Sequence, residues 1–423
     1  MTFSRGRLPS CIFVVFLLYS AAALSERQVP LTLAEAEDLA LASEPGQAAL
    51  QAQASALEQR AIAAAQLPDP VLRVGLNNFP IESGGFSTEG MTHALVAVRQ
   101  AFPPGKSREI SARQMNLQAS AMSASATARG FDVLTAVRHA WLDAYYWHRA
   151  HELVSESRPF FSDLATIARS LYAVGRRNQQ DVLRAELELS RLDDRLIDID
   201  RQYSGAKAAL SEWVGENASR PMATGLPNWK QVPELGQIHQ GLLRHPALRA
   251  ADDEIASREA RVDLAEERSK PGWALDLGYS YREGVLATGE PRSDFVSLVL
   301  TVDLPFFSKE SVDSNLSAAL FDRRAAQETR AQLQRRLSSR LDAEYTRWHD
   351  LSRRIDLYEQ LILLQTEDQA RASLVAYQSG NGDFADVMRG YIDNLNTRLE
   401  HIRLQVERAQ SYALLANLGG ISQ

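Results

Sequence analysis

Cysteine is almost absent: Cys11 is the single one in 423 residues, so no disulfide and no cysteine-built zinc site can form within the chain. Basic charge is not in excess either. Lys and Arg number 46 against 53 Asp and Glu, a formal charge of −7, whereas a nucleic-acid binder would carry a basic face. Beyond the N-terminus no run of about 18 apolar residues occurs, which excludes a polytopic helical membrane protein. There is no Gly-rich phosphate loop, no Ser–His–Asp set and no pair of carboxylates in a defined cleft, so nothing points to an enzyme. His148 and His151 stand three apart without a third ligand and read as surface histidines. The methionines Met91, Met115, Met122, Met222 and Met388 are scattered, giving no thioether ladder for copper. No cofactor and no bound metal are expected. With 45% hydrophobic and 23% charged residues, the chain is also too apolar to be disordered.

What is present begins with an address. Arg5 and Arg7 precede the apolar run 11–18, and Ala21, Ala22, Ala23 and Ser25 follow. Basic, apolar and small segments in that order make residues 1–25 a secretory signal. The apolar run is short for a spanning helix, the alternative being a retained anchor. Cys11 opens that run instead of following it, which argues against lipoprotein processing. Removal of 1–25 leaves a cysteine-free chain of charge −9, 44 basic against 53 acidic residues.

The rest is written twice. Glu44-Pro45-Gly46-Gln47-Ala48 has its counterpart in His245-Pro246-Ala247-Leu248, and Asp69-Pro70 in Lys270-Pro271. Leu95-Val96-Ala97-Val98, ending in Phe102-Pro103, matches Leu298-Val299-Leu300-Thr301-Val302, ending in Leu304-Pro305. Tyr172-Ala173-Val174-Gly175 with Asp181-Val182 matches Tyr377-Gln378-Ser379-Gly380 with Asp386-Val387, and Leu210 and Gly215 match Leu415 and Gly420. A spacing this long excludes a solenoid repeat. The repeats therefore span 26–225 and 226–423, joined at the Pro-, Gly- and Trp-containing stretch 225–233.

Each repeat reads helix, strand, loop, strand, very long helix, turn, helix. Strands are expected near 71–79, 93–102, 273–281 and 294–304. Leu72, Val74 and Leu76 alternate with Arg73, Gly75 and Asn77, and Trp273, Leu275, Leu277, Tyr279 and Tyr281 with Ala274, Asp276, Gly278 and Ser280. Val296, Leu298, Leu300 and Val302 form a third such row, and Val96 and Val98 a weaker one. At about 9–11 residues such strands would cross a bilayer at a tilt, with aromatics near their ends. A half-buried soluble sheet would show the same alternation.

The helices separate these readings. Runs near 106–172 and 308–377 contain one proline, Pro159, and at 1.5 Å per residue each would reach roughly 100 Å. The following segments keep a 3-4 beat (Val182, Ala185, Leu189, Leu192, Leu196, Ile199; Leu395, Leu399, Ile402, Val406), as coiled coils do. Four strands cannot close a barrel, and an open edge cannot sit in lipid, so several chains must share one barrel; three would supply twelve strands. The expected class is mainly α with a small β part. Long coiled-coil hairpins form an α-barrel tunnel, and four strands per chain join a shared twelve-stranded trimeric transmembrane β-barrel.

This pattern resembles the TolC-type outer-membrane efflux channel family over essentially the whole mature chain. The resemblance is carried by Leu67-Pro68-Asp69-Pro70, by Gln100-Ala101-Phe102-Pro103 and by the paired Tyr-x-x-Gly…Asp-Val tips. The segment 67–80, LPDPVLRVGLNNFP, is similar to the metal-efflux (CzcC- or CusC-like) branch. The resemblance implies a homotrimer in the outer membrane, its helical tunnel in the periplasm. It would passively conduct cargo, heavy-metal cations in that branch, from an inner-membrane pump of the resistance-nodulation-division type through a periplasmic adaptor. Multidrug efflux and type I protein secretion are the alternatives within the family, and a periplasmic coiled-coil scaffold the alternative outside it. By motif, Asp181, Tyr377 and Asp386 are the periplasmic gate candidates, with Arg176, Arg177 and Arg389 beside them. Gly382 occupies a position where the family often has a basic gate residue, and Arg389 stands where a second acidic residue is expected. That moves the basic charge to the other hairpin. Asp181 and Asp386 have a second reading as caps of the helices that follow, and Tyr172 and Tyr377 one as packing residues.

Overall fold

The computed structural model describes residues 29–305 and 309–419; the signal segment 1–25 and Gly420 lie outside them. The elements are α1 (Leu33–Ser43), α2 (Pro45–Ala65), β1 (Val71–Asn77), β2 (His93–Phe102), α3 (Ser107–Ala173), α4 (Gln179–Val214), α5 (Leu235–Leu242), α6 (Pro246–Glu267), β3 (Trp273–Tyr281), β4 (Phe295–Val302), α7 (Lys309–Leu357), α8 (Leu363–Gln378) and α9 (Phe384–Gly419). The order α-α-β-β-long α-α occurs twice.

Local chemistry sets the matching helix starts. Glu44 accepts a hydrogen bond from Gln47 N, and His245 Nδ1 one from Ala247 N at 3.2 Å. Pro45 and Pro246 then stand at the first helical position, where the missing N–H costs nothing. α3 runs 67 residues without a break through Pro159, about 100 Å. The second arm departs from one uniform α-helix: α7 passes through a π turn, Tyr358–Ile362, into α8. With the repeat offset of about 200, that turn falls opposite Pro159.

The sheet is antiparallel in the order β1-β2-β3-β4. Each strand continues a helix (α2 into β1, β2 into α3, α6 into β3, β4 toward α7), and those helices pack side by side in the same order. The result is a segment of wall, helical for most of its length. The end of α9 abuts the start of α6. There Asn417 Oδ1 lies 3.1 Å from His245 Nε2, while its Nδ2 donates to Phe131 O at 3.1 Å and Thr135 Oγ1 at 2.9 Å.

The expected 3-4 beat is the buried seam. Val182, Ala185, Leu192 and Ile199 of α4 pack with Leu153, Phe161 and Leu164 of α3 and Leu395 and Leu399 of α9. Each such large side chain contributes about 1.5–3 kcal/mol. Ala119, Ala121, Ala124 and Ala126 are buried in α3, where small side chains let α2 and α6 approach on either side.

Candidate functional site

The candidate side chains fall in two regions, the sheet and the hairpin tips. Register places Leu72, Val98, Leu277 and Leu298 in one row across the four strands, and Val74, Val96, Tyr279 and Val296 in another. Leu76, Trp273, Leu275, Leu300 and Val302 lie on the same face. All are exposed, Val74 and Val296 by 70% and 74%. On the opposite face Ala274, Asp276, Gly278 and Ser280 are buried. A half-buried soluble sheet would do the reverse, burying its apolar side. This one leaves a continuous apolar face uncovered among the described residues. Among the described residues, the outer edges of β1 and β4 are also unpaired.

The inner face holds three side chains that the alternation treats only as the polar side: Arg73, Arg99 and Asp276. Both guanidiniums approach the one carboxylate, Arg73 at 3.3 Å and Arg99 at 3.6 Å. A charge at the off-phase position of a period-two strand was the available signal.

The tips are built by the Tyr-x-x-Gly motif, which closes each arm with a left-handed glycine, Gly175 at φ 71° and Gly380 at φ 85°. Arg176 N donates to Leu171 O and Gly175 N to Tyr172 O, with the same pair repeated by Asn381 to Ala376 and Gly380 to Tyr377. This is the Schellman ending of a helix. The two tyrosines then differ. Tyr172 is half exposed, whereas Tyr377 is 1% exposed and packs on Phe384 at 5.1 Å between ring centroids.

Asp181, Arg177 and Tyr377 come together. Tyr377 Oη donates to Asp181 Oδ2 at 3.4 Å, the Arg177 guanidinium lies 4.4 Å from the Tyr377 ring centroid, and its Nη2 donates to Tyr377 O at 2.9 Å. Burial first, then the Asp181 charge, pushes the Tyr377 phenol up to about 12. Asp386 does not join them. It pairs with Arg389 at 3.0 Å on its own helix, and Arg176 is exposed without an ion pair among the described residues. The capping reading of the aspartates needs correction. Asp181 and Asp386 are third in their helices, and the residues before those helices are Asn178 and Asp383, the latter accepting from Ala385 N at 3.3 Å. Gly382 also gains a reason: a Cβ there would stand 2.8 Å from Tyr377 N and 2.9 Å from Ala376 C. No side chain fits, and the guanidinium found beside Tyr377 is that of Arg177, from the other hairpin.

His148 pairs with Glu152 and His151 with Asp200, each at 3.4 Å, and the described residues hold no cluster of three or more groups able to bind a metal. No helix among them is long and apolar enough to cross a membrane.

The family model for outer membrane efflux proteins matches residues 237–420, the second repeat. Protein CyaE of Bordetella pertussis is 27% identical over 427 residues, covering 94% of this chain and 86% of the relative. Among solved structures, CusC superposes with a TM-score of 0.78 at 14% identity over 99% of both chains. The outer membrane protein VceC of Vibrio cholerae gives 0.75 at 17% identity, covering 92% of this chain and 96% of its own. The MtrE outer membrane channel of Neisseria gonorrhoeae gives 0.73 at 15%, covering 93% and 94%. The likeness in fold runs through almost the whole chain, and its second repeat matches the outer membrane efflux protein family.

Proposed function

We propose that this chain is the outer-membrane channel subunit of a tripartite efflux system, working as a homotrimer. The carrying observation is the uncovered apolar sheet face with two open edges, mounted on hairpin arms about 100 Å long. An open strand edge is costly in lipid, so β4 of one copy pairs with β1 of the next, closing twelve strands around a lumen. Leu72, Val74, Leu76, Trp273, Leu275, Leu277, Tyr279, Val296, Leu298, Leu300 and Val302 then face lipid. The interstrand loops, knitted by Arg282 to Gly90 O at 2.9 Å and Arg292 to Glu89 O at 3.0 Å, lie outside the cell. The arms reach into the periplasm toward an adaptor and an inner-membrane pump of the resistance-nodulation-division type. The subunit conducts passively and has no catalytic step.

The tips serve as the gate. Arg177, Asp181 and Tyr377 hold the two hairpins of one chain together, and three copies place Asp386 around the axis. Outer-membrane fractionation, heat-sensitive trimers on a gel and single-channel conductance in planar bilayers test this reading. A monodisperse monomer indifferent to detergent would end it. Within the gate, Asp386→Ala is expected to weaken block by divalent cations entering from the tip side; unchanged block would leave Asp386 only its ion pair with Arg389.

The finer assignment, export of heavy-metal cations, has the segment 67–80 behind it. It predicts that deletion sensitises cells to divalent metals more than to hydrophobic drugs. The opposite order would assign the channel to drug efflux.

A further inference from the structure

We propose that Arg73, Arg99 and Asp276 form a charge filter inside the barrel that favours anions; the proposal rests on the trimeric-channel reading above. Apart from His93, these are the only ionisable groups other than tyrosine within the four strands. All three lie on the face opposite the apolar one, and they touch. Arg99 and Asp276 are register partners on β2 and β3. Arg73, on β1, is one inner row away and reaches across β2 to the same carboxylate. That reach exists because its own row continues as Ala97 and then Gly278, which raise nothing in its way. A Cβ on Gly278 would already sit 3.2 Å from Leu95 Cδ1 and 3.3 Å from Ala97 Cβ.

The charges do not balance. One carboxylate faces two guanidiniums, and Asp276 is the buried partner, with its side chain 11% exposed against 53% for Arg73 and 36% for Arg99. The trio in each chain therefore presents one net positive charge to the lumen, and a closed trimer presents three such charges at one height. Low-dielectric walls concentrate the field of such a ring on passing ions. Screening decides when it is felt. At about 0.15 M salt the Debye length of about 8 Å leaves the centre of a wide lumen unaffected, whereas at about 0.01 M it is about 30 Å and spans it.

The test is the reversal potential of purified full-length channels in planar bilayers under a KCl gradient, at low and at physiological salt. Arg73→Gln with Arg99→Gln is expected to shift the anion-to-cation permeability ratio by roughly threefold toward cations, at low salt only. Asp276→Asn is expected to shift it the other way, and Arg73→Lys with Arg99→Lys to restore the wild-type value. Wild-type channels should be blocked from the loop side by the trivalent anion hexacyanocobaltate and not by the hexaamminecobalt cation. Trimers of ordinary conductance whose reversal potential is the same in all four proteins would overturn the filter. Loop-side block by the cation alone would overturn it without any variant. Absence of trimers and conductance in the wild type would instead remove the channel reading itself.

Discussion

At the scale of single residues, the tip turns on Tyr377. Its phenol is raised to about 12, so the stabilisation it gains as the neutral form is fully present below about pH 10 and lost as pH rises through about 12. Ultraviolet difference titration of wild type against Tyr377→Phe is expected to show one tyrosine ionising late. Asp181→Asn should bring that ionisation somewhat earlier by removing the opposing charge, while burial keeps most of the shift. Arg177→Ala removes both the ring stacking and the bond to Tyr377 O, about 1–2 kcal/mol of hairpin-to-hairpin attachment. Larger single-channel conductance is the expected outcome; an unchanged value would mean that another contact holds the tip. The identity of these residues was legible in the repeated Tyr-x-x-Gly…Asp motif. Their unequal roles were not, because Tyr172 and Tyr377 occupy the same position in their turns and only packing buries one of them. Gly382 was visible as a departure, but its cause, the backbone passing within contact distance, exists only once the turn is folded.

Among the elements, length and period were readable and irregularity was not. Alternation located the four strands to within a few residues, since a face that is wholly apolar leaves a period-two trace. The strand match between repeats was read one residue out of step. Leu95 lies on the inner face beside Gly278 and Leu298 on the outer one, so Val96 is the true counterpart in phase. Letters alone do not record which side a valine or leucine takes. The π turn Tyr358–Ile362 likewise left no sequence mark, although it falls opposite Pro159. Both are devices that bend or loosen a long helix. Pro159 deprives Ser155 O of a donor, so Pro159→Ala is expected to stabilise α3 by up to about 3 kcal/mol. Thermal unfolding in detergent reads this as a higher midpoint. A lower midpoint would show that the neighbours require the bend.

For the whole molecule, the property on which the proposed trimer rests is a four-stranded sheet that ends at β1 and β4. Leu298→Arg, on the uncovered face, is expected to cost about 2–4 kcal/mol in the bilayer and to reduce the yield of heat-sensitive trimers. Ser297→Arg, one residue away on the inner face, should assemble normally; equal loss in both would contradict the assignment of faces. The four-stranded sheet was legible in the sequence, and the proposal of partner copies comes from counting those strands against what lipid tolerates. The charged trio inside was not, since Arg73 and Asp276 are two hundred residues apart and meet only through the register of three strands. The two free edges of β1 and β4 also carry a genetic consequence. In the proposed trimer, a chain damaged along one edge still pairs through the other, so it enters rings and spoils them. With equal amounts of sound and damaged product, only about one assembly in eight is entirely sound. Lesions there should act as dominant poisons in cells that keep an intact copy of the gene.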